Sequence, residues 1–309
     1  MHAQDHRWIR VLPPVLICAL LWGSAFPCIK SVYAIWHHQG TETGLSEMWL
    51  FAGIRFTIAG IMLLVLARHP LAEFKATDKR LLASFCLTQT FAQYIFFYYG
   101  LAIASGALAG LLVASGSFWW MILAPLIGGS PWPRRAQWLT LVIGGIGITL
   151  AAAAPGADAG NPWLGTLVIV TSTGFGTLGI VCFGKIRTTI GARAATGWSL
   201  FGGGLGLIAA GSHALPKTQE LMQPTVIAIT LWLAIVSAAA FSLWNHLSTL
   251  HPVPLLASYR FIIPLTGVLE AVIILNEKPG WGLWIGGAIV IGSLIASQRI
   301  TRSPSVRAN

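Results

Sequence analysis

Long apolar stretches alternate with short polar connections along the whole chain. We count ten apolar segments, each close to the ~20 residues that a helix needs to cross a bilayer. Their approximate limits are 12–36, 47–67, 81–99, 105–127, 137–155, 163–184, 194–212, 225–247, 254–275 and 281–298. The connections are polar, and several contain Pro or Gly. This pattern predicts an all-α integral membrane protein with ten transmembrane helices.

The composition agrees with that prediction. Charged residues make up 9% of the 309 residues, and the mean hydropathy is +0.74, whereas a soluble domain has about 25% charged residues. A net charge of +10 is also found in nucleic-acid-binding proteins, but here the basic residues lie in short connections between apolar segments. A membrane explains that distribution better. We therefore expect the lipid bilayer as a partner and no nucleic acid.

The basic residues also predict how the chain is oriented. With the N-terminus in the cytoplasm, fourteen of the 19 lysines and arginines fall on the inside, and Lys217 and Lys278 fall on the outside. The other three, Lys30, Arg55 and Arg260, lie within segments. This bias follows the positive-inside rule and holds only for an even number of spans. We expect the protein to lie in the inner or plasma membrane, with both termini in the cytoplasm.

Ten segments divide into two sets of five, and weak internal echoes support the division. A Trp followed by a Gly pair begins segment five at Trp138 and segment ten at Trp281. Because five is an odd number, two homologous halves would have opposite orientations in the membrane. The expected arrangement is two inverted five-helix repeats, 12–155 and 163–299, around a central cavity.

Charged residues inside the segments are the sharpest signal for a functional site. Lys30, Arg55, Arg260 and Glu270 would each cost several kcal/mol if they faced lipid. Lys30 and Glu270 both fall in outer halves of their segments, so they could pair across a cavity. Two structural alternatives stay open: Lys30 could reach the interface with its long side chain, and Arg55 could bond a neighbouring helix.

Aromatic and amide side chains extend the predicted cavity. Trp22, Phe26 and Lys30 share one helical face, which suits a solute with an anionic or zwitterionic head and an apolar body. Gln89 and Gln93 lie one turn apart and could bond a solute or hold a neighbouring helix. The full set of predicted cavity residues is Trp22, Phe26, Lys30, Gln89, Gln93, Trp119, Trp244, Asn245, Arg260 and Glu270.

Two prolines are candidate hinges for a conformational change. Pro27 is expected to break the first helix, because proline cannot donate the hydrogen bond that a helix interior needs. Pro264 lies in segment nine. A broken span that also holds an ionisable residue is typical of a solute path.

Several runs together resemble one known family. These runs are Trp22-Gly23-Ser24-Ala25-Phe26, Arg55-Phe56, Leu243-Trp244-Asn245-His246-Leu247, Phe261-Ile262-Ile263-Pro264-Leu265 and the closing Asn276-Glu277. They are similar to signatures of the EamA branch of the drug/metabolite transporter superfamily, over residues 15 to 299. The first repeat departs from that pattern at Gly116-Ser117, where a proline is usual, and at Gly129-Ser130-Pro131, where an acid is usual. The resemblance implies a ten-helix carrier that exports or exchanges small organic solutes.

The leading hypothesis is therefore a secondary transporter that works by alternating access. Three intramembrane cations against one anion favour amino acids or other carboxylate-bearing metabolites as solutes. An exporter of drugs or other organic solutes with the same fold is the first alternative, and a non-transporting structural membrane protein is the second. An intramembrane enzyme would need paired acids, a His/Asp constellation or metal ligands, and Glu270 is the single acid in the interior of a segment, since Glu47 is the first residue of its own. No catalytic residue, metal or cofactor is expected.

Overall fold

The computed structural model describes residues 2–40, 44–157, 160–251, 256 and 259–302, with the side chains of residues 11–300 within those ranges. Every longer regular element in them is a helix. In chain order these are α1 (His2–His38), α2 (Leu45–Leu66), α3 (Pro70–Ala76), α4 (Lys79–Cys86), a π-helical turn (Leu87–Ala92), α5 (Gln93–Ile103), α6 (Gly106–Leu112), α7 (Ser115–Gly128), α8 (Arg135–Ala153), α9 (Pro162–Ile186), α10 (Ala192–Ala210), a 3₁₀ turn (Ser212–Lys217), α11 (Thr218–Leu221), α12 (Pro224–Leu250), α13 (Ile262–Leu275) and α14 (Trp281–Arg302).

Seven helical stretches are long and apolar enough to cross a bilayer. They are Val11–His38, Leu45–Leu66, Gly106–Gly128, Arg135–Ala153, Pro162–Ile186, Pro224–Leu250 and Trp281–Ile300. Large apolar side chains such as Val65, Leu139 and Ile273 lie exposed on the outer surface, as expected where the surrounding solvent is hydrocarbon. The protein is a multi-pass membrane protein.

The other three predicted segments also correspond to helical structure. Segment 81–99 falls within the continuous succession of α4, the π-helical turn and α5, and segment 194–212 overlaps α10. Segment 254–275 contains α13, which has 14 residues, while part of its beginning lies outside the described residues. That these three segments cross the membrane stays a prediction.

The expected break at Pro27 is wrong, because α1 remains helical from His2 to His38 with Pro27 inside it. A proline lacks the N–H that would bond the carbonyl four residues earlier, here that of Gly23, but the helix continues past the missing bond. Pro264 lies in the first turn of α13, where a proline costs the helix little. A hinge function for either proline stays a prediction.

Segment four is not one continuous helix, because α6 ends at Leu112 and α7 begins at Ser115. Between α6 and α7 the chain tightens, with Ala114 N–H donating to the Leu111 carbonyl and Ser117 N–H to the Ala114 carbonyl, each at 3.0 Å. The start of α13 is similar, since Ile262 N–H donates to the Tyr259 carbonyl at 3.0 Å. Bonds between residues three apart are typical of tight 3₁₀ turns, which often mark functional positions.

Glycines allow the closest helix crossings. A Cβ placed on Gly53 of α2 would lie 2.8 Å from the Gly204 carbonyl oxygen of α10, and one on Gly147 of α8 would lie 2.7 Å from that of Gly286 in α14. Neither position has room for a side chain. Small residues at such crossings are how membrane helices bring their backbones together.

The connections lie at two ends of the helix bundle, as the contacts between them show. We call one the Glu277 end; it holds the connections 39–44, 104–105, 154–161, 211–223 and 276–280. We call the other the Arg134 end; it holds the connections 67–78, 129–134, 187–191 and 251–261.

Candidate functional site

A cavity of about 130 Å³ lies at the centre of the bundle. Side chains from α1, α2, the π-helical turn, α5, α7, α9, α12 and the turn before α13 line it. We call it the central cavity. The two interrupted places in the fold, between α6 and α7 and before α13, both border it at Val113 and Arg260.

The structure places most of the predicted site residues together. Seven of the ten line the central cavity: Trp22, Phe26, Gln89, Gln93, Trp244, Asn245 and Arg260. Lys30, Trp119 and Glu270 are not part of its lining. Residues from four different segments therefore converge on one space, as a solute-binding site in a helical membrane protein requires.

Arg260 presents its guanidinium to the cavity with its donors unused. No hydrogen bond or ion pair joins its side chain to the part of the chain that the structure describes. A Cβ placed on Gly116 would lie 3.3 Å from Nη2 of Arg260 and 3.6 Å from Oγ1 of Thr177, so the absent side chain at Gly116 makes room for this head group. A guanidinium offers paired donors that match a carboxylate.

Arg55 lines the same cavity but is held by its neighbours. It is 3% exposed, Nη1 donates to the Tyr98 hydroxyl at 2.8 Å and Nη2 donates to Ser237 Oγ at 3.1 Å. Its guanidinium carbon lies 4.4 Å from the centre of the Phe56 ring. Both sequence hypotheses for Arg55 thus apply, since it bonds neighbouring helices and faces the cavity. Its charge is not matched by a carboxylate among the described residues, and a lone buried charge is costly.

Three buried polar atoms of the cavity lining have no hydrogen-bond partner in the described residues. They are Nε1 of Trp22, Nε of Arg55 and Oε1 of Gln89. Buried polar atoms are nearly always paired, so each exception needs an explanation. A bound solute with donors and acceptors of its own would supply the missing partners.

Aromatic rings form one wall of the cavity. The Trp22 ring lies 5.3 Å from Phe241 and 5.6 Å from Trp244, measured between ring centres. Tyr94 and Phe97 extend the wall from α5. Such rings suit the apolar body of a ligand, and the arginines suit an anionic group.

The amide side chains serve both uses that the sequence left open, which are lining the cavity and holding a neighbouring helix. Asn245 is 3% exposed and donates through Nδ2 to Thr196 Oγ1 at 2.7 Å, so it holds α12 to α10 as well as bordering the cavity. Gln93 packs against Gly176, where an added Cβ would lie 2.6 Å from its Oε1. Gln89 keeps the unpaired oxygen described above and is the amide best placed to accept from a solute.

Two of the residues outside the lining hold helices together. Trp119 donates through Nε1 to the Val170 carbonyl at 2.8 Å, which fixes α7 to α9. Glu270 packs against α1, where a Cβ on Gly23 would lie 2.5 Å from Oε1, and that oxygen is buried without a hydrogen-bond partner in the described residues. Lys30 is half-buried beyond the cavity. The helical periodicity that grouped Lys30 with Trp22 and Phe26 did not show where the cavity ends.

Sequence reasoning missed some residues of the site. Thr173 and Thr177 of α9, Tyr94 of α5 and Phe241 of α12 all line the cavity. The two threonines lie one helical turn apart in an apolar segment, the same spacing that singled out Gln89 and Gln93. That polar pair was the signal that could have identified them. In the described residues, no group of three His, Cys, Asp or Glu side chains converges as a metal site would need.

Comparison with known proteins adds information about the fold alone. No protein-family model and no curated protein matches the chain. A crystal structure of another protein does match, with a TM-score of 0.61 and 18% sequence identity over 94% of this chain and 98% of that chain. The likeness covers nearly the full length of both, so the two proteins share their overall fold.

Proposed function

We propose that this protein is a secondary transporter of small carboxylate-bearing metabolites, such as amino acids. The observation that carries the proposal is the charge of the central cavity. Arg55 and Arg260 line it, and no Asp or Glu is among the described residues of its lining. Because a buried charge needs a partner to offset its desolvation, an anionic group of the solute is the natural partner for these two arginines.

The proposed architecture is ten transmembrane helices in two inverted repeats, as in the EamA branch of the drug/metabolite transporter superfamily. The helix contacts support it. If each of the first five segments is exchanged with its counterpart five places later, the pairs α2/α10 and α8/α14 map onto themselves. The pair α1/α13 maps onto α9/α7, and α1/α12 maps onto α9/α5, and all four of these pairs are in contact.

This arrangement suggests a mechanism of alternating access. The cavity lies between the two proposed halves, so rocking of one half against the other would expose it to each side of the membrane in turn. We propose that the protein sits in the inner or plasma membrane with both termini in the cytoplasm, as its basic residues indicate.

The decisive experiment is uptake and counterflow of radiolabelled amino acids in liposomes that contain the purified protein. We expect saturable flux in the wild type. Arg260→Ala should reduce it at least about tenfold, because a charged hydrogen-bond pair contributes about 1.5–3 kcal/mol. Arg68→Ala is the matched control, since Arg68 is an exposed arginine outside the cavity and its removal should leave the flux unchanged.

One observation favours a second candidate, an exporter of apolar drugs or other organic solutes. The aromatic wall of Trp22, Phe241 and Trp244 would bind apolar molecules whether or not they carry a carboxylate. The same liposomes distinguish the two candidates. Flux of lipophilic cations alone, unaffected by Arg260→Ala, would overturn the carboxylate proposal.

A further inference from the structure

A second and larger cavity lies at the Arg134 end of the bundle. Its volume is about 530 Å³, and α7, the 129–134 connection, the start of α8 and the last turns of α14 surround it. Trp120 and Trp132 provide aromatic surface, and Gln137 and Gln298 provide amides. We call it the outer cavity. Of the ten cavity residues predicted from the sequence, Arg260 alone lines this second cavity.

Arg260 connects the outer cavity with the central cavity. Among the residues that the structure describes, it alone belongs to both linings. The two spaces therefore meet at one guanidinium whose donors are not used by any residue that the structure describes. A solute anion bound on either side would have this same group as its partner.

The outer cavity has the same charge character as the central one. Arg134 and Arg260 line it, and the part of its lining that the structure describes contains no Asp or Glu. Arg134 is exposed, so by itself it would be an ordinary solvated cation of a connection. What indicates a ligand is that Arg134 lines the same cavity as an inward-facing arginine whose side chain has no partner among the described residues. Two arginines that line one space without acids attract an anion and raise its local concentration.

We propose that the outer cavity is a binding site for an organic carboxylate, where the transported solute is held between Arg134 and Arg260 before Arg260 passes it to the central cavity. That the bound carboxylate is the transported solute rests on the proposed function, but binding of a carboxylate in the outer cavity does not depend on transport. Arginine fits this role because its two-pronged donor set can keep one bond to a carboxylate while the other bond is exchanged.

A labelling experiment tests the site without measuring transport. Ser130 is exposed in the lining of the outer cavity, so Ser130→Cys can be labelled with a thiosulfonate reagent that carries either a sulfonate or a quaternary ammonium. We expect the anionic reagent to react about threefold faster relative to its rate with a free thiol, because one unit charge at close range in a wet site has an effect of that size. Arg134→Gln should remove most of this preference.

Arg135→Gln is the matched control. Arg135 is the next residue, is also exposed and does not line the cavity, so its loss should change the ratio little. Phenylacetate should slow the labelling of Ser130→Cys, whereas phenethylamine, a cation of similar shape, should not. Each variant must elute as a single species, which keeps a folding defect from being read as a binding defect.

Flux measurements then separate the two proposals. In liposomes, Arg134→Gln should raise the KM for carboxylate uptake from the Arg134 end several-fold and leave uptake from the Glu277 end unchanged, and Arg135→Gln should do neither. Equal labelling by both reagents and no protection by phenylacetate would overturn the outer site even if transport is found. Charge preference and protection without any carboxylate flux would support the site and overturn the proposed function.

Discussion

The two ends of the bundle are built differently, and the difference concerns how the proposed halves are tied together. At the Glu277 end, bonds cross between the halves. Both carboxylate oxygens of Glu277 accept from the N-terminus of α6, from Gly106 N–H at 2.7 Å and Ala107 N–H at 2.8 Å. Lys217 Nζ lies 3.0 Å from Glu47 Oε1.

Backbone bonds add to this closure. Gly280 N–H donates to the Pro155 carbonyl and Asn161 N–H donates to the Ile103 carbonyl, both at 2.8 Å. The Gln39 amide also donates to that of Gln223 at 2.7 Å. Each of these pairs joins a residue before 156 to one after 160, so the Glu277 end is fastened across the line between the proposed repeats.

The Arg134 end is also bonded between the halves, but among the described residues these bonds are confined to one place, between residues 66–77 and residues 189–198. Gly191 N–H donates to Glu73 at 2.6 Å, and Arg193 donates to the Leu66 carbonyl at 2.9 Å, which joins the 67–78 connection to the start of α10. Within the described residues, hydrogen bonds of the 129–134 connection stay local: Ser130 N–H donates to the Ala124 carbonyl and Arg134 N–H to Gln137. The outer cavity opens beside this connection.

The difference between the two ends indicates from which side the central cavity is accessible in this conformation. The halves are bonded to each other at several places around the Glu277 end, so that end resists separation. At the Arg134 end they are bonded at one place, and the 129–134 connection beside the outer cavity has only local bonds among the described residues. If the protein works by alternating access, this conformation gives a solute access from the Arg134 end. Switching would then require the bonds of the Glu277 end to break.

The largest expected effect is on sidedness. Gln93 lines the central cavity, and we expect Gln93→Cys to react at least about tenfold faster with a membrane-impermeant maleimide added from the Arg134 end than from the Glu277 end. A tenfold ratio corresponds to about 1.4 kcal/mol between the two conformations. Ser130→Cys and Lys278→Cys, exposed at opposite ends, serve as markers for each side. Equal rates for Gln93→Cys from both sides would refute the expected access from the Arg134 end.

A smaller effect is expected when the Glu277 end is loosened. Glu277→Ala leaves two N–H groups without their charged acceptor, which should cost about 1–3 kcal/mol of stability. It should also speed hydrogen exchange at Gly106 and Ala107 and raise the labelling of Gln93→Cys from that end. Thermal unfolding and exchange mass spectrometry measure the first two quantities.

Asp78→Ala is the matched control for Glu277→Ala. Asp78 also caps a helix through two bonds, from Arg80 N–H at 2.7 Å and Leu81 N–H at 3.1 Å, but it lies in the same half as its helix. Its loss should cost about 1 kcal/mol and leave the sidedness of labelling unchanged. If both variants changed sidedness equally, the bonds across the halves would have no special role.

Hydropathy and helical periodicity could predict much of this fold. Each predicted apolar segment overlaps helical structure, because burial in a bilayer demands such runs. Spacing along one helix also placed Trp22 and Phe26 on the face that borders the cavity. Both results depend on properties of a single segment, and such properties are encoded locally.

What could not be predicted depends on which helix covers which face. Lys30 shares the face of Trp22 and Phe26 but lies beyond the cavity, and Glu270 packs on Gly23 because α13 happens to cross α1 there. The outer cavity was missed for the same reason. Arg134 lies in a polar connection, and only the packing of α7 against α14 shows that it shares a space with Arg260.

The smallest expected effect is that of the ion pair at the Glu277 end. The Lys217 side chain is 47% exposed and that of Glu47 is 8% exposed, so water screens the pair and Lys217→Gln should cost only about 0.2–1 kcal/mol. The difference in unfolding temperature between wild type and variant should shrink in 1 M salt, where charges are screened within about 3 Å. Lys75→Gln removes the same charge from an exposed position at the Arg134 end and should show no such salt dependence. A larger, salt-independent loss for Lys217→Gln would mean that Lys217 stabilises this end by packing, and the closure would then depend on the Glu277 cap and the backbone bonds alone.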